Sequence, residues 1–242
     1  MSDLNLFDDD DDELSDFLEI IPDQFIVTEE ELDQEVYAQF MAELEDLEPE
    51  ADCATLLGQA QELSSEALSL TEKKNILAQL AIQGAAEACQ FLQQYCSNCE
   101  PDLEKWAKIA LYECQMHMET DLFDEPVGLV STGLGGEGEW LRYIFVLALQ
   151  GGALAPEQQQ EVEVTLGRVC QQNHSKVEQV QFAPSYLSVR ILVPLDEAVG
   201  EVVEEVIARL NQHDGRVQKE YMVTNVAVPS EEEIQAFLNG LQ

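Results

Sequence analysis

The sequence predicts an α+β protein, an N-terminal helical bundle followed by an antiparallel sheet with helices packed on it. Three observations predict it. Apolar residues recur at three- and four-residue spacing from Val36 to Met118, the period of amphipathic helices. The run 127–150, VGLVSTGLGGEGEWLRYIFVLALQ, then breaks that period with a strand–turn–strand signal. Beyond it, alternating β-branched runs and helical stripes follow one another, giving β-β-α-β-β-α-β from residue 127. The expected division is an acidic, largely disordered segment at 1–27, an all-helical domain at 28–124 and an α+β domain at 125–242.

Charge limits what the chain can bind. The net charge is −38, and the first 50 residues carry ten Asp, ten Glu and no Lys or Arg. This opposes binding to nucleic-acid phosphates and to anionic membranes, and favours a basic protein partner. No run reaches the ~20 apolar residues that span a bilayer. The opening MSDLNLFDDDDDELSD lacks the basic and apolar regions of a secretory leader, so the expected compartment is the cytoplasm, with six reduced cysteines. The run Asp8–Asp12 is expected to be disordered, and the interleaved Leu4, Leu6, Phe7, Leu14, Phe17 and Leu18 either fold on a partner or fold back on the domain.

Thr28 with Glu31 reads as a capping box opening a first helix on Val36, Phe40 and Leu44, ended by Pro49. A second helix is expected over about 54–70 on Leu56, Leu57, Ala60 and Leu63. Thr71 is the expected cap of a third, with Ile76, Leu77 and Leu80 inward up to Gly84. A fourth covers about 85–96. Pro101 opens a fifth through about Leu122, with Trp106, Ala110 and Cys114 inward. Residues 73–114 show a short helix, the small-residue break Gly84-Ala85, a second helix, the polar turn Pro101-Asp102 and a helix containing Ala107 and Ala110. They resemble the helix pairs of HEAT-type repeats, which implies a non-enzymatic interaction module.

Residues 129–132 are short and β-branched, and 140–149 is apolar on both faces, as a central strand would be. A tight hairpin is expected to join them. After a break at Gly151-Gly152, Pro156 opens a helix on Val162, Leu166 and Val169. Strands around Val180 and Leu187 follow, then a helix from Asp196 on Val199, Val203 and Val206, a turn at Asp214-Gly215, a strand at 221–228 and a final helix capped by Ser230 with Glu233. Without its first strand this order resembles the ferredoxin-like βαββαβ. In that arrangement the leading strand and the last strand compete for the same edge.

Chemical motifs are few. Gly133, Gly135 and Gly138 match G-x-G-x-x-G, but a strand follows where a dinucleotide site needs a helix. The candidate binding residues are Ser131, Thr132, Gly133, Gly135, Gly136, Gly138 and Arg142. Arg142 either holds an anion or pairs with a carboxylate, the pairing being the stronger expectation. Cys96, Cys99, Cys114 and His117 have zinc-like spacing. Cys96 and Cys114 nevertheless fall on apolar helix stripes, so no metal and no cofactor is expected. No catalytic triad or acid/base couple can be nominated. The expected function is a non-enzymatic protein-interaction or adaptor role toward a basic partner. The alternative is an α+β domain that binds a small molecule or an anion, or acts on it catalytically, through the 133–138 hairpin.

Overall fold

The structure, a computed structural model, describes Pro22 and residues 24–45, 47, 51–65, 67–212 and 215–241. Asp8–Asp12 with its flanking Leu and Phe residues, Pro49, His213 and Asp214 lie outside the described residues. The chain forms two compact units. One comprises residues through Ile26 together with Leu32–Val130; the other comprises Val27–Glu31 and Ser131–Gln242. The α+β class with helices ahead of an antiparallel sheet is as the sequence predicts.

In the first unit, β1 (Gln24–Val27) pairs with β2 (Val127–Val130). Between them run α1 (Gln34–Glu45), α2 (Cys53–Ala60), α3 (Leu70–Ile82), α4 (Ala86–Cys96) and α5 (Glu104–Phe123). Phe40, Leu56, Leu77, Leu80, Leu92, Leu103 and Trp106 form one core, with Phe40 edge-on to Trp106. Trp106 Nε1 donates to the Lys74 carbonyl, which satisfies the one polar atom of a buried indole. Lys73, almost fully buried, reaches Glu100 at 2.6 Å.

Several boundaries move. The first helix starts five residues late, because the carboxylate of Asp33 accepts from the Glu35 and Val36 amides and caps it there. Thr28 is buried and caps nothing. The second helix stops at Ala60 and continues as turns. Ser69, not Thr71, caps α3, in a reciprocal box with Glu72. Residues 24–27, assigned to a largely disordered segment, end that segment as a strand. The cysteines are not all reduced thiols, since Cys89 and Cys114 are joined as a disulfide that ties α4 to α5.

The second unit holds β3 (Gly136–Glu137), β4 (Trp140–Leu149), α6 (Pro156–Gln172), β5 (Lys176–Phe182), β6 (Tyr186–Pro194), α7 (Val199–Leu210), β7 (Val217–Thr224) and α8 (Glu231–Gly240). Both flanks of β4 are paired: β6 on one side, β7 and β3 on the other, with β5 outside β6, all antiparallel. The competition for one edge is settled by division. β3 takes Trp140 and Leu141, and β7 takes the stretch from Ile144 to Leu149. The expected hairpin partner of β4 is therefore the two-residue β3, while Val127–Val130 pairs with β1 instead. The last strand ends at Thr224, leaving Val226 and Val228 exposed.

One face of the sheet, with Phe145, Leu147, Leu187, Val189 and Ile191, packs on Val162, Leu166 and Val169 of α6 and on Val202, Val203 and Val206 of α7. The alternate residues Ile144, Val146 and Ala148 are buried too. This accounts for the doubly apolar pattern of β4. Among the described residues no helix is long and apolar enough to cross a membrane.

Candidate functional site

The glycine loop is built by close backbone packing. Thr132–Gly135 is a turn, with the Gly135 amide donating to the Thr132 carbonyl at 2.9 Å and Gly135 at φ +62°. Glu137 then pairs with Trp140, so Gly138 and Glu139 form a two-residue hairpin loop. The left-handed φ of Gly138, +63°, is what the first loop position of a type II′ turn requires.

On the far side of β3 runs Val27–Glu31. The Gly136 amide donates to the Thr28 carbonyl at 2.8 Å, and the Val27 amide donates to the Gly138 carbonyl at 3.1 Å. The Thr28 hydroxyl donates to the Glu30 carbonyl at 2.7 Å and lies 3.1 Å from the Ser131 hydroxyl. The segment 27–31 is thus a strap laid along β3.

A Cβ on Gly133 would overlap the Val226 carbonyl. One on Gly135 would meet the Glu29 carbonyl, and one on Gly136 the Trp140 carbonyl. The close approach that demands these glycines is to the chain's own backbone. The successive amides of Leu134, Gly135 and Gly136 donate to Asn225, Thr132 and Thr28 carbonyls. In a phosphate cradle such amides converge on the ligand.

Arg142 closes the arrangement. Its Nε and Nη2 donate to the two oxygens of Glu178 at 2.7 and 2.9 Å, and its Nη1 donates to the carbonyls of Leu134 at 2.8 Å and Glu29 at 3.2 Å. The Glu178 carboxylate holds the guanidinium proton more tightly than usual. Of the two roles weighed for Arg142, the carboxylate pairing is the one the structure contains. The structure brings all seven candidate residues together, as the junction between strap, loop and sheet.

Arg190, which sequence reasoning passed over, stands beside this junction. It lies on β6 opposite Ile144 and Gln179. Its Nε is buried and donates to no protein acceptor. The available signal was a cation in the alternation Tyr186, Ser188, Arg190, Leu192 of a strand whose other residues are apolar.

The zinc-like quartet is dispersed. Cys114 is bonded to Cys89, and Cys99 Sγ donates to the Cys96 carbonyl at 3.7 Å. Burial pushes the Cys96 thiol up to about 11, and that of Cys99 upward, away from the thiolate a metal needs. Among the described residues no group of three or more His, Cys, Asp or Glu is placed to hold a metal ion.

No family model matches the chain, and no curated protein matches it. Solved structures overlap it in part. A Deinococcus radiodurans protein named as a candidate transposase is 15% identical, over 42% of this chain and 90% of its own, at TM-score 0.37. A REP-associated tyrosine transposase bound to a REP hairpin is 11% identical, over 41% and 62%, at 0.32. The C-terminal domain of MgtC from Mycobacterium tuberculosis is 12% identical, over 38% and 96%, at 0.29. Overlaps of this size assign neither fold nor activity.

Proposed function

We propose that the chain is a non-enzymatic, cytoplasmic interaction protein that binds a basic protein partner through its acidic surface. The helical unit, with its resemblance to HEAT-type pairs, supplies the platform, and a ferredoxin-like unit follows it. The observation that carries this reading is how the few cations are used. Lys105, Lys108, Arg142, Lys176, Arg209 and Arg216 all pair with the chain's own carboxylates. Lys73 does so inside the helical core. A surplus of 38 negative charges remains after every cation is counted. A surface of one sign steers oppositely charged proteins and repels polyanions.

The reading is tested by pull-down from a lysate at low and at high salt. Recovery of a defined basic protein at low salt, lost at high salt, is the expected result. Recovery of no basic protein at low salt overturns it.

A further inference from the structure

We propose that Arg190 anchors a binding site for a small oxyanion, a carboxylate or a phosphate group. The site is the depression of about 480 Å³ that Arg190 shares with Gly133, Leu134, Arg142, Glu178 and Gln179.

The argument begins with what Arg190 lacks. Carboxylates outnumber Lys and Arg by 49 to 11. Even so, no carboxylate among the described residues pairs with Arg190, although it is only partly exposed. Its Nε–H is buried without an acceptor. The Nε–H is enclosed by protein, so in this partly exposed side chain it is the terminal N–H groups of the guanidinium that a ligand can reach.

The neighbouring charges point to an anion. Glu178 is the carboxylate lining the depression, and both its oxygens are engaged by Arg142. That pair is internally neutral, which leaves the Arg190 charge uncompensated. The guanidinium presents a planar fork of N–H groups, the geometry that grips a two-oxygen edge.

The mounting is rigid. Arg190 sits within β6, with β4 hydrogen-bonded on one side and β5 on the other. Its neighbour on the rim, Leu134, is fixed through its carbonyl to Arg142 and through its amide to Asn225. The ligand therefore meets a preformed site. The proposal does not depend on what binds the acidic surface.

The experiment titrates the full chain with inorganic phosphate and, separately, with acetate, at fixed ionic strength, using calorimetry and chemical-shift changes. Fixed ionic strength is needed because the −38 field repels any anion and is screened by salt. Saturable binding of at least one probe is expected. R190Q is expected to lose roughly tenfold or more in affinity, the loss of hydrogen bonds to a charged group. R190K, which keeps the charge without the fork, is expected to fall between them.

The two titrations distinguish a phosphate from a carboxylate ligand. Should R190Q fail to fold, as judged by melting without anion, R190K against the wild type decides. Absence of saturable binding to the wild type overturns the proposal. So does equal affinity for the wild type and every folded Arg190 variant.

Discussion

At the residue scale the most connected side chain is Arg142. It bonds a carboxylate and two carbonyls, and neither it nor Glu178 is more than about a quarter exposed. Arg142→Ala strands the Glu178 charge and leaves two carbonyls without their donor. The expected loss is about 2–3 kcal/mol of stability, read as a lower urea midpoint. A second residue carries a pH signature. Burial raises the pKa of Glu113, and the Tyr37 hydroxyl bonded to it opposes the rise. Burial first, then the Glu113 charge, pushes Tyr37 up to about 12. A carboxyl raised in the folded state favours folding when protonated. Its contribution is complete below the ordinary carboxylate range and is lost as pH rises through the folded value. Glu113→Gln should therefore raise the melting temperature at neutral pH, with no gain in acid. An equal effect at both pH values would refute this. Arg142 was legible as a strand cation that would find a carboxylate. Its two carbonyl partners were not, because Leu134 and Glu29 carry no side-chain signal for a backbone contact.

At the scale of elements, the glycine hairpin offers a controlled comparison. Gly135 and Gly138 have nearly the same left-handed φ, +62° and +63°. A Cβ at 138 meets open space, whereas one at 135 meets the Glu29 carbonyl. Gly138→Ala should cost about 1 kcal/mol of backbone strain. Gly135→Ala should cost at least about 1 kcal/mol more, because the strap must shift. Chemical denaturation of both variants checks the ranking, and equal losses would mean that the strap yields freely. Local signals read well at this scale. The Ser230–Glu233 box and the doubly apolar β4 stand where the sequence places them, and the helix expected from Asp196 keeps its apolar stripe but opens at Val199. The failures are long-range. Pairing of 127–130 with 24–27 joins runs about a hundred residues apart, and periodicity cannot see a partner at that distance. Thr28 was read as a cap because Thr-x-x-Glu fits one, yet its hydroxyl serves the strap.

At the scale of the molecule, charge and covalent links set the behaviour. The Cys89–Cys114 bridge closes 25 residues of the helical unit. Removing it with reductant should lower stability by about 3 kcal/mol on a loop-entropy estimate. Cys89→Ser with Cys114→Ser should reproduce the effect. A melting curve insensitive to both would show that the bridge contributes nothing to folding. The acidic excess was plain from composition, and so was the order of helical and mixed halves. Arg190 was hidden because an unpaired cation is defined by what fails to surround it, which only three dimensions reveal.

The strap also imposes an order in time. Residues 27–31 leave the ribosome long before the residues they bind, since Thr28 waits for Ser131, 103 positions later, and Glu29 waits for Arg142, 113 positions later. Over that interval the backbone groups of the strap lack the partners they have in the folded unit. The strap cannot be enclosed until Leu149 has emerged, because β4 must exist before β3 has two neighbours. Fragments that begin at residue 131 lack a strand-like piece of their own sheet, and supplying residues 22–33 as a separate peptide should restore it in trans.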